Sequence, residues 1–248
     1  MVEVKKLEEK NNRLSLIVSD ADIALMNSLR RTIMNSVPVF AAEKIILYEN
    51  SSVMPDEMLS HRLGMIPISV SQKQTKKGDE VNLALDKEGP CTVYASDIVS
   101  KDAGVTVLDE SVPIIKLAKG QKVKLEIHAV AGVGKTHSKF QPALVTYKQI
   151  PIVDFSNVKN PEAVAKVFPH GTVEIKAKKL FVADAMRHMI SHEAADRFPG
   201  EIKMDYDDKK FVLSIESYQQ KKNDEIILEG IKALREKTDE FKAALKDL

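Results

Sequence analysis

Three places in this 248-residue chain carry side chains that could do chemistry. The first is Gly134-Lys135-Thr136. It reads as the end of a phosphate-binding loop, in which backbone N–H groups cradle phosphate, the lysine reaches its outer oxygens and the threonine hydroxyl meets a magnesium ion. The full motif also needs a glycine where this chain has Ala129, and a helix directly after the threonine to present its N-terminus to the phosphate. His137-Ser138-Lys139-Phe140-Gln141-Pro142 stands there instead and is poor helix material. The second place is His188 and His192, four residues apart on an expected helix, with both rings on one face as a metal site would use them. Glu193 comes after the second histidine rather than the first, so the zinc-protease pattern is not met, and only His170 offers a third imidazole. The pair reads as two polar helix residues. The third is the stretch before Pro199. Counting back along the ferredoxin spacing Cys-x2-Cys-x2-Cys-x3-Cys-Pro reaches His188, Ser191, Ala194 and Phe198, none of them a thiol. There is also no aspartate cluster suited to two-metal phosphoryl transfer. We assign no catalytic residue, no metal site and no cofactor.

Composition narrows the classes further. Lys and Arg number 37 against 36 Asp and Glu, whereas a protein built to hold nucleic acid shows a clear basic excess. Lys73, Lys76 and Lys77, and Lys176, Lys178 and Lys179, read as solvated surface groups. No direct sequence-specific contact with DNA is expected. The single cysteine, Cys91, excludes a disulfide framework and any multi-cysteine metal site within the chain. It reads as a small apolar residue. No tryptophan is present and aromatics are 5%, which leaves little for base stacking. No signal peptide or apolar membrane span is evident, so a cytoplasmic protein without a membrane partner is expected.

The elements that must position these residues emerge from periodicity. Leu14, Leu16 and Val18 alternate with Ser15, Ile17 and Ser19 as in a strand. A helix comes next with Ile23, Met26, Leu29, Ile33 and Met34 on one face, stopped by Pro38. Phe40 to Tyr48 reads as a strand. A short helix begins near Pro55 and ends at about Leu63, with Gly64 as the residue past its end. From 69 to 151 short alternating runs recur at Val81–Leu85, Thr92–Ala95, Val105–Leu108, Val112–Leu117, Val123–Val130 and Ala143–Tyr147, a mostly β segment. Residues 157 to 207 hold a quasi-repeat: Phe168-Pro169 and Phe198-Pro199 each come after a helix and precede two strands. At the end, Ile227, Ile231, Leu234, Thr238, Phe241, Leu245 and Leu248 step by four and three, the seam of a helix about 37 Å long.

The signal that names a family lies in two phrases. One is Asn27-Ser28-Leu29-Arg30-Arg31. The other is Met54-Pro55-Asp56-Glu57, with His61-Arg62-Leu63-Gly64-Met65-Ile66-Pro67 shortly after it. In this order and separation they resemble the assembly subunit of cellular RNA polymerases, the family of the archaeal D-type subunit, the third subunit of eukaryotic polymerase II and the bacterial alpha subunit. Gly134, Lys135, His137, Lys139, Phe140, Pro142 and Ala143 match a further loop of that family. The resemblance implies an α+β chain with a discontinuous, alpha-subunit-like dimerisation domain at 1–50 and 208–248. It further implies a β-rich inserted domain at 51–156 and a degenerate ferredoxin-like module at 157–207. Some members carry an iron–sulfur cluster in that module. Here the thiolates are gone, and Phe168 and Phe198 are expected to fill the space.

The function implied is non-catalytic assembly of a DNA-directed RNA polymerase. The partners implied are the small subunit L as heterodimer partner, the second-largest subunit, and the small subunits N and P. Met26, Leu29, Ile33, Ile227, Ile231, Leu234, Phe241 and Leu245 are the candidate dimerisation residues. Arg30, Arg31, His61, Arg62, Lys135 and His137 are the candidates for the large-subunit contact. Adjacent Arg30 and Arg31 point about 100° apart, so one can pair within the chain while the other reaches outward. The alternatives from other classes are a ferredoxin-like metal or electron-transfer protein and a phosphate-loop nucleotide hydrolase. The physical expectation is that the first and last helices expose apolar faces that only a second subunit can cover.

Overall fold

In the computed structural model of the chain, the described residues are 1–71, 75–100, 102, 104–177, 179–187, 190 and 192–247. Lys73, Lys178, His188, Ser191 and Leu248 lie outside them, and with them the His188 half of the histidine pair, two of the four cluster-spacing positions and the last residue of the seam. In chain order the elements begin with β1 (Glu3–Lys10), β2 (Arg13–Ser19), α1 (Ile23–Ser36), β3 (Pro38–Asn50), α2 (Asp56–Gly64) and β4 (Ile68–Val70). They continue with β5 (Glu80–Glu88), β6 (Cys91–Tyr94), β7 (Val99–Ser100), β8 (Val105–Val107), β9 (Pro113–Leu117), β10 (Lys122–Val133) and β11 (Ala143–Asp154). The last are α3 (Pro161–Ala165), β12 (Val173–Lys176), β13 (Lys179–Val182), α4 (Glu193–Arg197), β14 (Lys203–Ser217) and α5 (Asn223–Ala244).

The chain divides into two compact units, one of Met1–Glu9, Ser15–Asn27 and Thr146–Ser214, the other of Lys10–Leu14, Ser28–Val145 and Ile215–Leu248. The second unit is built on a six-stranded sheet in the order β7-β5-β10-β3-β4-β8. Its edge strands β7 and β8 approach one another, which curls the sheet toward a barrel. The alternation read from the sequence sets which face is inside. On β10, Val123, Leu125, Ile127, Ala129 and Ala131 are buried. Leu125 and Ile127 oppose Leu85 and Leu83 of β5 in register, and all four belong to one apolar core. The two-stranded β6–β9 ribbon adds Val93, Ile114, Ile115 and Leu117, and α2 adds Leu59 and Leu63, one turn apart on its inner face. Burying each such leucine or isoleucine is worth roughly 1.5–3 kcal/mol.

The first unit carries most of a four-stranded sheet ordered β1-β2-β14-β11. Beside it, in the same unit, Val164, Phe168, Leu180, Ile190, Ala194 and Ile202 form a separate apolar cluster, with Phe155 edge-on to Phe168 at 5.8 Å between ring centres. Phe198 packs against this cluster and Ala194 is inside it. Two of the ferredoxin-spacing positions are therefore apolar packing positions.

Several expectations are corrected. The second half of the quasi-repeat does not carry a strand pair: the polar run Asp205–Lys209 between the two expected strands lies inside the continuous fifteen-residue β14. α4 begins at Glu193 with His192 as its cap residue, and the His188 half of the expected helix lies outside the described residues. Gly64 is the last residue of α2 rather than the residue beyond it, because Met65 still donates its amide to the Arg62 carbonyl. The short strands β4 and β7, of three and two residues, were below what alternation can register.

Candidate subunit interface

The seam on α5 is apolar on two stripes, and only one faces its own chain. Asn223, Ile226 and Gly230 are buried, whereas Ile231, Phe241 and Leu245 are 49%, 66% and 52% exposed. At 100° per residue Ile227 and Ile231 each point about 100° away from the buried Ile226 and Gly230 beside them, whereas Phe241 lies about 20° from the direction of Gly230 and is exposed because the helix has run past its support. Gly230 makes the close approach possible: a Cβ there would overlap the Cγ1 of Ile33 on α1. Lys237 extends the same inward stripe, donating from Nζ to the Ser36 hydroxyl at 2.6 Å. Lys221 pairs with both carboxylate oxygens of Glu229 at 2.7 and 2.6 Å and steadies the entry to the helix. From Arg235 to Lys246 every residue is exposed. That is roughly 18 Å of helix at 1.5 Å per residue. Along it the outward charges are paired within the helix, as Lys232–Glu236, Arg235–Asp239 and Lys242–Asp239.

The candidate dimerisation residues therefore separate. Ile231, Phe241 and Leu245 are exposed, and Ile227, Leu234 and Leu29 are half-buried. Met26 and Ile33, 1% and 0% exposed, are core residues of this chain, not contact surface. Sequence reasoning placed them on the outer face because α1 has apolar residues all round its inner half; Ile23 and Leu25 are the exposed ones. Ile226 and Gly230 were missed as the inward stripe. A glycine within an otherwise uninterrupted helical pattern was the available signal.

The arginine pair splits as its geometry requires. Arg30 is half-buried and directs a guanidinium nitrogen at the Met34 sulfur, 3.8 Å away, while Arg31 is exposed. On α2 the outward residues are His61, Met58 and Met65, three and four apart on one face, with the nearby Val53 also exposed. The two methionines and Val53 had not been singled out. Arg62 is exposed and is also engaged within the chain: its Nε donates to the Ile114 carbonyl at 2.9 Å and a terminal nitrogen to that of Pro113 at 2.6 Å. The fork fastens α2 to β9 within the chain.

The Gly134-Lys135-Thr136 segment is arranged against phosphate binding. It meets the carboxyl end of α1, where carbonyls point outward and the helix dipole is negative. The Lys135 amide donates to the Asn35 carbonyl at 3.1 Å, and a Cβ on Gly134 would run into the Met34 carbonyl. The Thr136 hydroxyl donates to the Val133 carbonyl at 2.7 Å. In place of a helix, a 3₁₀ turn forms at Ser138–Phe140, capped by His137, whose Nδ1 accepts the Lys139 amide at 3.1 Å. Lys139 reaches back with Nζ to the Ala42 carbonyl at 2.8 Å and to Glu43, and lies 5.0 Å above the Phe140 ring. Lys135 and His137 are left exposed on a loop held at several points.

Perturbed titrations lie elsewhere. The Lys87 ammonium and the Tyr94 amide hold the Asp97 carboxyl below its ordinary range, Glu126 raises the Tyr48 phenol through a hydrogen bond, and burial lowers Lys148. None of the shifted groups is a candidate interface residue. Among the described residues no three His, Cys, Asp or Glu gather as a metal site would, and no helix is long and apolar enough to cross a membrane.

Comparison with known proteins gives the family. A sequence model of the RNA polymerase Rpb3/RpoA insert domain matches residues 45–155. A Methanocaldococcus jannaschii protein is 46% identical over 130 residues, spanning 52% of this chain and 66% of its own length. Proteins of Thermococcus kodakarensis and Pyrococcus furiosus are each 31% identical, over 97% and 100% of this chain and 96% and 98% of their own. All three are named DNA-directed RNA polymerase subunit Rpo3. With two such relatives matched from end to end, this chain belongs to the archaeal Rpo3 family of DNA-directed RNA polymerase subunits.

Proposed function

We propose that this chain is the non-catalytic assembly platform of a cytoplasmic DNA-directed RNA polymerase. The observation that carries the proposal is the outer stripe of α5, where Ile231, Phe241 and Leu245 stand exposed on a helix with no cover of its own. In this reading the stripe pairs with the small subunit L. The heterodimer then receives the second-largest subunit over α2 and the Lys135–His137 loop, and the small subunits N and P join the same platform. The dimerisation domain would comprise residues 1–50 and 208–248, with 51–156 inserted as a β-rich domain and 157–207 as a ferredoxin-like module without a cluster. The apolar packing of Phe168, Ala194 and Phe198 supports a purely structural role for that module.

The test is co-expression with the small partner subunit, then purification and mass measurement of the complex. A one-to-one heterodimer is expected for the native sequence and none for Ile231→Asp with Phe241→Asp. A carboxylate buried at the contact without a partner costs several kcal/mol. Both positions are exposed in the lone chain, so its own fold should tolerate the changes. A native chain that remains a monodisperse monomer beside its partner would refute the proposal.

A further inference from the structure

We infer that the outer stripe of α5 selects its partner by charge: it accepts a helix whose own apolar stripe is bordered by carboxylates, and it rejects a second copy of this chain. The inference rests on the assembly role proposed above and adds what a fitting partner must carry. Ile227, Ile231, Leu234, Thr238, Phe241 and Leu245 together span about 80° of the helix surface at 100° per residue. Measured from the middle of that stripe, Lys242 lies about 60° and Arg235 about 80° to one side, and Lys237 about 80° to the other. The carboxylates of the same stretch, on Glu229, Glu236, Asp239 and Glu240, all lie about 120° or more away. With Lys232 on the far side, cations and carboxylates between Ile227 and Leu245 balance in number, yet only cations border the stripe.

The bordering cations have donors to spare. Arg235 and Lys242 share the one carboxylate of Asp239, at 3.9 and 3.7 Å. Exposed pairs of this kind contribute little, and one carboxylate cannot fill both a guanidinium fork and an ammonium. Among the described residues Lys237 meets the Ser36 hydroxyl at 2.6 Å and no carboxylate. The helix dipole favours a cation in the last turn, which suits Lys242, but it has faded at Lys237 and Arg235, about two turns or more before Ala244. In paired helices the charges flanking an apolar seam set the choice of partner. Two copies of α5 would bring basic border against basic border whether they ran parallel or antiparallel, a repulsion that a partner with acidic borders turns into attraction. An anionic lipid surface fits less well. Helices that lie on membranes carry Lys and Arg across the polar face, whereas here that face holds all four carboxylates and the stretch has no net charge to guide it.

The test measures binding of the full chain to the purified small partner subunit at 0.1 M and 1 M salt. Arg235→Glu with Lys242→Glu should weaken binding about tenfold or more at the lower salt. The difference should shrink at the higher, where the screening length falls from about 10 to 3 Å. Arg235→Gln with Lys242→Gln, which keeps good helix formers in place, should lose an intermediate amount. Lys232→Glu, on the far side of α5, should leave binding unchanged. Zero-length carbodiimide coupling should join Lys237 or Lys242 to an aspartate or glutamate of the small subunit. The native chain alone should sediment as a monomer at 0.1 M salt. Unchanged affinity and salt dependence in both double variants, without such a cross-link, would overturn the inference while leaving the assembly role intact. Absence of any complex with the native chain would overturn the assembly role itself. A native homodimer that Ile231→Asp abolishes would overturn the inference in favour of a second copy. Binding to phosphatidylcholine vesicles containing phosphatidylserine, lost on the same charge reversals, would overturn it in favour of a lipid surface.

Discussion

Replacing Gly230 with alanine separates two opposed expectations. In an isolated helix the change stabilises, by about 1 kcal/mol, because glycine is the poorer helix former. Here the added Cβ would overlap Cγ1 of Ile33, a side chain with 0% of its surface exposed. Cγ1 is not the free end of a flexible chain. It is attached to a β-branched carbon with a stiff first torsion, so relief requires moving the α1 backbone or forcing isoleucine off its rotamer. Overpacking of this kind costs about 1–3 kcal/mol. The overlap should outweigh the propensity gain and leave a net loss of about 1 kcal/mol. For a chain of this size that corresponds to roughly 2–4 °C in Tm. With no tryptophan in the chain, far-UV circular dichroism in urea and on heating is the suitable readout. Ile33→Ala removes the obstructing atom at a cost of about 2–5 kcal/mol by itself. Adding Gly230→Ala to that background should restore stability, a coupling of opposite sign to the single change. A Gly230→Ala protein more stable than the native one would refute the contact, and with it the claim that α5 turns this stripe inward.

Two further expectations concern the inserted sheet. Arg62→Ala removes both hydrogen bonds to the Pro113 and Ile114 carbonyls. Bonds from a charged donor are worth about 1.5–3 kcal/mol each, less for the exposed one, so the variant should lose about 2 kcal/mol. Amide exchange should quicken through β9, Arg62→Lys should recover only part of the loss, and unaltered exchange in β9 would count against the pin. Asp97 accepts the Lys87 ammonium at 2.8 Å and the Tyr94 amide at 2.9 Å. Its folded carboxyl is held below the ordinary 3.8, so its contribution is present above that pH and is lost as the pH falls through the depressed value. Asp97→Asn should therefore be less stable than native at neutral pH and match it in strong acid. Parallel stability curves for the two proteins down to about pH 2 would be the contrary result.

What could be read from the residues alone divides along physical lines. Strands β5 and β10 were legible because one face of each is buried, so Val81, Leu83 and Leu85, and Val123 to Ala131, alternate cleanly. β14 was not, because the polar Asp205, Asp207 and Lys209 separate the two expected strands. Backbone pairing in a sheet does not depend on side-chain polarity where those side chains face solvent. The Gly134-Lys135-Thr136 segment was legible as a failed phosphate loop. Its actual contacts, with the carbonyls of Asn35 and Met34, depend on a packing partner distant in sequence. The intrachain bonds of Arg62 were missed for the same reason: the carbonyls it satisfies belong to β9, and nothing in the local sequence announces them.

The terminal helix shows where a periodic pattern stops being informative. A repeat of fours and threes identifies an apolar seam, but a helix packed against its own chain on one side and apolar on its exposed side carries two seams. Residues of both enter the same count. On α5 the inner stripe is short and sparse, ending in practice at Lys237, and it is marked by a glycine instead of a large side chain. The outer stripe is longer and runs on to Leu245, past the last point at which the helix has support. The same division on α1 buries Met26 and Ile33 and leaves Arg31 outside. A monomer gains nothing from keeping Phe241 and Leu245 on an unsupported length of helix, since each exposed ring or isobutyl group forgoes roughly 1.5–3 kcal/mol of burial. The inner stripe explains how the helix is aimed, and in the proposed assembly the outer one explains why it is so long. There, a second chain covering the outer stripe is what makes that length stabilising.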